Sequence, residues 1–259
     1  MAAIDVKNLT KKFDKFVAVD NISFQVENGS IFAFLGPNGA GKSTVIKMMT
    51  TILYPTDGSI FINNYDIHNE KSEVRKSIGV IFQDHTLDDE LTAYENLYYH
   101  SALYKIPENI RREKIDDMLS YVGLLDRKND LVKNFSGGMK RRIEIARGLL
   151  HSPKILFLDE PTLGLDVQTR AFLWDYIKKI NKEDKITIFF TTHNMEEVEN
   201  IATKIAIIDK GRILIQGSSN EIKKATKTKT LENAFLILTG YGIREESADS
   251  GPMKRRFRR

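Results

Sequence analysis

The chain has no cysteine among its 259 residues. It can therefore form no disulfide framework, and it offers neither a thiol nucleophile nor a cysteine-ligated zinc site. The absence is compatible with a reducing compartment. With 41% hydrophobic and 29% charged residues, the composition is that of an ordinary globular protein and not of a disordered one.

Long hydrophobic runs are missing as well. One of the longest apolar stretches, residues 31–35, is far shorter than the roughly 18 residues that suggest a membrane-spanning helix. Residues 1–5 contain no basic segment followed by an apolar one, so no signal peptide is predicted. We therefore expect a soluble chain whose role at a membrane, if it has one, comes through a partner.

A strong excess of one charge sign is also absent. The 39 Lys and Arg against 35 Asp and Glu give a net charge of +4, and five of the positive charges lie in residues 252–259. Without those five the net charge is −1, which argues against nucleic acid as a partner of the whole surface. The tail itself has three interpretations: a solvated end, attraction to anionic lipid headgroups, or contact with nucleic acid.

Short β-branched and aromatic runs alternate with longer helical patterns, which is typical of an α/β fold. Several predicted strands are apolar at every position, as in strands covered on both faces. Strands are predicted at residues 23–26, 31–35, 59–62, 78–82, 155–158, 186–191, 205–208 and 212–216. Helices are predicted at residues 42–53, 112–122, 139–150, 167–181, 195–202 and 231–239.

The chain divides into a main domain, residues 1–222, and a C-terminal part, residues 223–259. Within the main domain, residues 84–150 show no convincing strand, so an inserted helical subdomain is predicted there. Lysines at positions 223, 224, 227 and 229 indicate a polar link to a last amphipathic helix. Residues 244–259 are predicted to be disordered.

A glycine-rich motif, GxxxxGK[ST], follows one predicted strand and opens the next predicted helix, which is the setting that this motif requires. Its glycines let backbone N–H groups curl around a phosphate, and the helix N-terminus adds partial positive charge. We expect Lys42 to reach the β- and γ-phosphates and Ser43 to bind Mg²⁺. A plain strand-to-helix turn is the alternative. The predicted nucleotide-binding residues here are Gly36, Pro37, Asn38, Gly39, Ala40, Gly41, Lys42, Ser43 and Thr44.

Two carboxylates, Asp159 and Glu160, end a later apolar strand. A strand end beside a phosphate loop is where doubly wound sheets place their chemistry. Asp159 is predicted to hold Mg²⁺ through water, and Glu160 is predicted to polarise the attacking water as a general base. A solvated acidic turn is the alternative, and the phosphate loop argues against it.

The segment between these two motifs resembles the signature sequence of ATP-binding cassette (ABC) proteins; it reads Asn134-Phe135-Ser136-Gly137-Gly138-Met139-Lys140-Arg141-Arg142. The resemblance runs in order along roughly residues 4–220, through Phe13, the phosphate loop, Gln83, the signature, Asp159-Glu160, Leu165-Asp166 and His193. It implies an α/β fold with a P-loop NTPase (RecA-like) core, an antiparallel β subdomain and an inserted α-helical subdomain.

The same resemblance implies an ATPase that uses ATP and Mg²⁺. In the family two cassettes pack head to tail, and each ATP lies between the phosphate loop of one copy and the signature of the other. Ser136, Gly137 and Gly138 would then contact the partner's nucleotide, through N–H groups at a helix start. A plain helix cap is the alternative for these three residues. The implied partners are a second copy or a closely related cassette and a transmembrane permease, with the chain peripheral on the inner face of the cell membrane.

Four further residues acquire roles by resemblance. Phe13 would stack on adenine; a core phenylalanine is the alternative. Gln83 would contact Mg²⁺ or the lytic water and sense the membrane partner, unless it is only a polar strand end. Asp166 would communicate across the dimer, and it could also cap a helix. His193 would contact the γ-phosphate and order the site.

One departure from the common signature is Met139, which stands where the family usually has glutamine and so loses an amide. The signature helix, together with residues 91–97 and 231–235, is similar to the daunorubicin-resistance branch. Those ATPases power separate export permeases for drugs, lipids or polysaccharides. An importer ATPase stays open as an alternative. A non-transport ABC ATPase is disfavoured because the chain has one cassette and no long coiled coil, and a P-loop kinase or GTPase has no use for the signature.

Overall fold

The structure, a computed structural model, describes residues 2–240. The basic tail and the segment predicted to be disordered lie outside the described residues. Within residues 2–240 the strands are β1 (Ala2–Phe13), β2 (Phe16–Glu27), β3 (Ile31–Leu35), β4 (Asp57–Ile62), β5 (Tyr65–Asp66), β6 (Ile78–Ile81), β7 (Ile155–Asp159), β8 (Thr187–Thr192), β9 (Lys204–Asp209) and β10 (Arg212–Gly217). The α-helices are α1 (Lys42–Met49), α2 (Lys71–Ser77), α3 (Ala93–Leu103), α4 (Glu108–Tyr121), α5 (Gly137–Leu149), α6 (Val167–Asp184), α7 (Met195–Ile201), α8 (Ser219–Thr226) and α9 (Leu231–Thr239).

The strands form two sheets. Six of them lie in the order β10-β9-β3-β8-β7-β6, parallel except for the antiparallel edge strand β10. The other four form an antiparallel sheet in the order β2-β1-β4-β5. The predicted α/β class, with an additional antiparallel β part, is confirmed.

The central strand β3 separates two hydrophobic cores. Every residue of β3 is buried, as predicted for a strand covered on both faces. Its alternate residues Ile31, Ala33 and Leu35 pack with α5 and α6, whereas Phe32 and Phe34 pack with α1 and the antiparallel sheet. Aromatic rings from both sheets meet in this second core, where Phe24 of β2 packs against Phe32 and Phe34 of β3.

The predicted helical insertion is confirmed, since residues 84–150 contain α3, α4 and α5 and no regular strand, whereas its exact bounds stay a prediction. A capping box starts α3, because the Thr92 side chain accepts from the Glu95 N–H and the Glu95 side chain accepts from the Thr92 N–H. Ser136 caps α5, since its side chain accepts from the Met139 N–H at 3.3 Å. The insertion thereby presents the start of α5 at the surface.

Several predicted elements need correction. Strand β1 was not predicted, since polar residues interrupt its apolar alternation and the β1–β2 ladder contains register shifts. Helix α1 ends at Met49 and not at residue 53, because Thr51 adopts a left-handed φ of +62°. The polar link predicted from Lys223 is wrong at its start, since α8 runs to Thr226 after a capping box at its N-terminus.

Helix α9 begins where it was predicted and belongs to the main core. Its residues Leu231, Ala234 and Phe235 are buried in the cluster that contains one face of β3. The division at residue 222 falls inside α8 and stays a prediction. Among the helices of residues 2–240, none combines the length and the apolar character of a membrane-spanning segment.

Candidate active site

The glycine-rich loop joins β3 to α1 and forms one wall of a cavity of about 490 Å³. Two glycines in it have left-handed φ angles, +77° at Gly39 and +106° at Gly41. A Cβ atom at Gly36 would lie 2.4 Å from the carbonyl oxygen of Ile208, so no side chain fits there. The loop therefore exposes backbone N–H groups at the start of α1, as a phosphate cradle must. The cavity is lined by Phe13, Phe16, Ala18, Pro37, Asn38, Gly39, Ala40, Gly41, Lys42, Ser43, Thr44, Gln83, Glu160, Leu163 and His193.

The ammonium group of Lys42 is held beside this loop. Its Nζ atom donates to the carbonyl oxygens of Gly36, at 2.7 Å, and Pro37, at 3.2 Å. The same atom lies 3.1 Å from Oε1 of Glu160, and both side chains are buried. Oε1 accepts no hydrogen bond from the described residues, so this contact is an ion pair and not a directed hydrogen bond. A lysine charge is thus kept within the cavity, balanced by one carboxylate.

Glu160 occupies a strained backbone position directly after β7, with a left-handed φ of +47°. Its N–H donates to the carbonyl and hydroxyl oxygens of Thr191, at 3.2 and 3.0 Å. Its Oε2 atom lies 3.0 Å from Nδ1 of His193. The Glu160 carboxylate is thus held between Lys42 and His193, and its Oε1 atom is buried without a hydrogen-bond donor among the described residues.

A second group of oxygen atoms lies next to Glu160. The Ser43 hydroxyl donates to Oδ1 of the buried Asp159 at 3.2 Å, and the Thr191 hydroxyl donates to the same oxygen at 2.6 Å. Hydroxyl and carboxylate oxygens are the ligand types that Mg²⁺ prefers, and such sites complete their octahedra with phosphate oxygens and water. Ser43 and Asp159, two of the three residues predicted to hold magnesium, therefore fit the ion in chemistry and lie within hydrogen-bond distance of each other.

Three other residues predicted for the site also line the cavity, and each comes from a different part of the sequence. Gln83 is exposed and follows β6, which neighbours β7. His193 follows β8, and about half of its side chain is exposed. Phe13 ends β1 and is 44% exposed, so the alternative that it is a core phenylalanine is wrong.

The signature residues stand apart from this cavity. The cavity lining does not include Ser136, Gly137 or Gly138. These residues do start helix α5, as the alternative interpretation predicted, and their contact with a partner's nucleotide stays a prediction. A Cβ atom at Gly138 would lie 2.8 Å from side-chain atoms of Thr169, so packing within the chain requires this glycine. A Cβ atom at Gly137 would meet nothing within 4 Å, so packing within the described residues does not explain this one.

Asp166 caps α6. Its carboxylate accepts from the N–H of Thr169 at 2.9 Å and from the hydroxyl of Thr169 at 2.7 Å. These two bonds hold the pKa of Asp166 below its ordinary value, and the bond from the backbone N–H has the larger effect. The side chain is exposed and does not line the cavity, so its predicted role across a dimer stays a prediction.

Three residues that the sequence did not single out also shape the site. Thr191 bonds the carboxylate of Asp159 and the backbone N–H of Glu160, and its signal was a hydroxyl near the end of the strand beside β7. Arg141 is buried and donates to the carbonyl oxygens of Phe82, at 2.7 Å, and Pro161, at 2.9 Å. The signature helix α5 is thereby bonded to the segments that follow β6 and β7. Phe16 lines the cavity opposite Phe13 in the β1–β2 pair.

Comparison with known proteins places this geometry in a family. The family model described as "ABC transporter" matches residues 19–163. The linearmycin resistance ATP-binding protein LnrL of Bacillus subtilis (strain 168) is 38% identical over 242 residues, which cover 93% of this chain and 76% of that protein. The daunorubicin/doxorubicin resistance ATP-binding protein DrrA of Streptomyces peucetius is 36% identical, over 88% of this chain and 69% of that protein.

An importer relative and a solved structure agree with this placement. The methionine import ATP-binding protein MetN 1 of Bacillus thuringiensis subsp. konkukian (strain 97-27) is 37% identical, over 83% of this chain and 65% of that protein. The ATP-binding cassette MJ0796, solved as a dimer bound to ADP and Pi, superposes with a TM-score of 0.75 at 28% identity, over 83% of this chain and 98% of that one. The chain belongs to the ABC transporter family and is one of its ATP-binding, ATP-hydrolysing subunits.

Proposed function

We propose that two copies of this chain bind Mg²⁺-ATP between them, hydrolyse it with Glu160 as the general base, and drive a separate permease at the inner face of the membrane. The observation that carries the proposal is the environment of Glu160. One of its oxygens lies 3.1 Å from Nζ of Lys42 and the other lies 3.0 Å from Nδ1 of His193, and all three residues line the same cavity as the phosphate loop.

The described residues supply each part of the reaction. N–H groups of the loop and Lys42 meet the negative charge of the phosphates. Ser43 and Asp159, with Gln83 near them, would hold Mg²⁺, which when bound neutralises charge shared between phosphate oxygens. Glu160 takes a proton from the attacking water through its carboxylate. His193 orients the carboxylate and faces the transferred phosphoryl group.

A second copy is proposed because the signature residues have no role in this chain's own cavity. Ser136 and Gly137 are exposed at the start of α5, where N–H groups and a hydroxyl can meet an anion. Nothing within residues 2–240 explains why position 137 lacks a side chain, whereas close approach of a partner's nucleotide would. Two apolar side chains near Asp166, Leu163 and Val167, are 51% and 79% exposed, which suits a face covered by another chain.

The permease is proposed to dock where the helical insertion meets the parallel sheet. A cavity of about 340 Å³ lies there, lined in part by β6, α3 and α5. Its lining residue Ile52 is 57% exposed, and Leu103, beside the lining residue Tyr104, is 79% exposed. Phe82 lines this cavity and Gln83 lines the nucleotide cavity, so adjacent residues connect the two.

Export of drugs, lipids or polysaccharides is the direction and cargo class that we favour. The support is the similarity to LnrL and DrrA, whose names describe resistance to linearmycin and to daunorubicin and doxorubicin. Import is the second candidate, and the similarity to MetN 1 favours it. When the chain is expressed with its permease, export predicts reduced accumulation of the cargo in cells, whereas import predicts increased accumulation.

The Glu160→Gln variant tests the assignment of the base. We expect it to retain ATP binding and to hydrolyse ATP at least about 100-fold more slowly, since general acid–base catalysis contributes roughly 10²–10⁴-fold. Glu183→Gln, at an exposed position on α6, is the control and should hydrolyse ATP like the unmodified chain. Turnover by Glu160→Gln at the rate of the unmodified chain would show that another group is the base.

Co-purification tests the docking site. Leu103→Asp should reduce recovery of the chain with its permease, because a charge would replace the exposed apolar side chain beside the groove. Leu214→Asp on β10 is the matched control, since Leu214 is also partly exposed but lies on the edge strand of the sheet. Equal recovery of both variants with the permease would show that the permease does not dock beside Leu103.

A further inference from the structure

The tip of the β1–β2 hairpin carries two phenylalanines that face each other. Phe13 and Phe16 are directly opposite in the antiparallel ladder, on either side of a two-residue turn. Asp14 in that turn has a left-handed φ of +48°, as tight hairpin turns require. Side chains of an opposed pair project from the same face of a sheet, so the two rings share one side of the hairpin.

That side of the hairpin is a wall of the nucleotide cavity. Side chains alternate along a strand, so Phe16 and Ala18 share a face while Val17 points to the other. The cavity lining agrees, because it includes Phe13, Phe16 and Ala18 but not Val17. The cavity thus extends from the phosphate loop to an apolar end formed by the hairpin.

Phe16 is the more exposed of the two rings. It is 64% exposed against 44% for Phe13, and no other aromatic ring within residues 2–240 stacks on it. One face of Phe13 is covered by the ammonium group of Lys11, which lies 5.0 Å from the ring centroid. Packing of the chain therefore explains neither the size nor the aromatic character of Phe16.

We propose that Phe16 is a second base-contacting residue, which with Phe13 forms two walls around the adenine of a bound nucleotide. The inference rests on the proposed binding of ATP and adds a specificity-determining residue to it. A planar base is the ligand chemistry that suits two exposed rings at the far end of a phosphate site, since its faces and edges both contact aromatic side chains. The Phe16 side chain has no polar group to offer a phosphate, so we expect its contribution to be confined to ligands that carry a base.

Two probes separate this contribution from phosphate binding: Mg²⁺-ATP and Mg²⁺-tripolyphosphate, which has no base. Binding of each is measured by calorimetry to the full chain, with ATP displaced by tripolyphosphate where direct heats are small. Phe16→Ala should bind ATP between about 5- and 100-fold more weakly, as removal of a base–aromatic contact does. Its tripolyphosphate affinity should stay within twofold of that of the unmodified chain, and Phe16→Trp should bind ATP like the unmodified chain.

Val17→Ala is the matched control, because it truncates the neighbouring side chain on the other face and should change neither affinity. An ATP affinity of Phe16→Ala within twofold of that of the unmodified chain would overturn the inference alone, as would equal losses for ATP and tripolyphosphate. If the unmodified chain binds neither probe, the proposed function fails and the inference fails with it.

Discussion

Replacement of Glu160 by glutamine should change the stability of the chain in a way that depends on bound nucleotide. The variant removes the carboxylate that balances the buried charge of Lys42 at 3.1 Å. Breaking a buried ion pair costs roughly 3–5 kcal/mol. We expect about 3 kcal/mol, the lower end, because Lys42 keeps its hydrogen bonds to two carbonyl oxygens. In a chain of this size each kcal/mol lowers Tm by roughly 2–4 °C, so a loss of about 6–12 °C is expected without nucleotide.

Phosphate should reverse this loss. A β-phosphate supplies the negative charge that Lys42 lacks in the variant, whereas in the unmodified chain it must compete with Glu160 for the same ammonium group. If the whole 3 kcal/mol returns on binding, Mg²⁺-ADP binds the variant roughly 100-fold more tightly. ADP is the better probe here because it is not consumed by turnover. The assay is thermal unfolding of both proteins over a series of ADP concentrations.

Glu144→Gln is the control for this experiment. Glu144 forms an equally buried ion pair with Arg141, at 2.9 Å, but has no contact with Lys42. This variant should lose stability too, yet gain no more from ADP than the unmodified chain gains. The reasoning is refuted if Glu160→Gln unfolds at the Tm of the unmodified chain without nucleotide, or if ADP raises the Tm of all three proteins equally.

Three other outcomes follow from the structure. Thr191→Val removes the hydroxyl that orients both acidic residues of the site; it should cost about 1–3 kcal/mol in urea unfolding and should slow ATP hydrolysis. Gly138→Ala should lower Tm because its methyl group would clash with Thr169, whereas Gly137→Ala should leave Tm unchanged and reduce ATP hydrolysis. Equal effects of the two alanines would argue against a partner at position 137. Burial lowers the pKa of His100 to about 4, so the unfolded chain takes up its proton first and stability falls as pH drops from about 6.5 to 4. This loss in the free energy of unfolding is roughly 3 kcal/mol. Urea unfolding of His100→Phe should therefore show a flatter pH dependence over that interval.

The sequence predicted those parts of the site whose chemistry is contiguous. The phosphate loop and the Asp159-Glu160 pair each lie within one short segment. Each segment follows an apolar strand, whose end is marked by the change to polar residues or glycine. Thr191 and Arg141 act on residues far away in the chain, through a neighbouring strand and a helix from the insertion, whereas Phe16 joins the cavity through its position opposite Phe13 in the hairpin. Their roles depend on strand order and register, which local composition does not specify. The same reason explains why β1 was not predicted. Its polar residues fit a strand only because β1 pairs with β2 on one side and β4 on the other.

The exposed start of α5 has a genetic consequence. Because Ser136 lies outside the cavity that contains Glu160, a dimer of the proposed kind draws these two residues of each site from different copies. A copy with Ser136→Ala and a copy with Glu160→Gln would then restore one complete site between them, although a dimer of either variant alone has none. Equal mixtures should recover roughly a quarter of the complete sites of the unmodified protein if copies pair at random. Two inactive alleles of this gene would thus complement each other, whereas two alleles altered in the same half of the site would not.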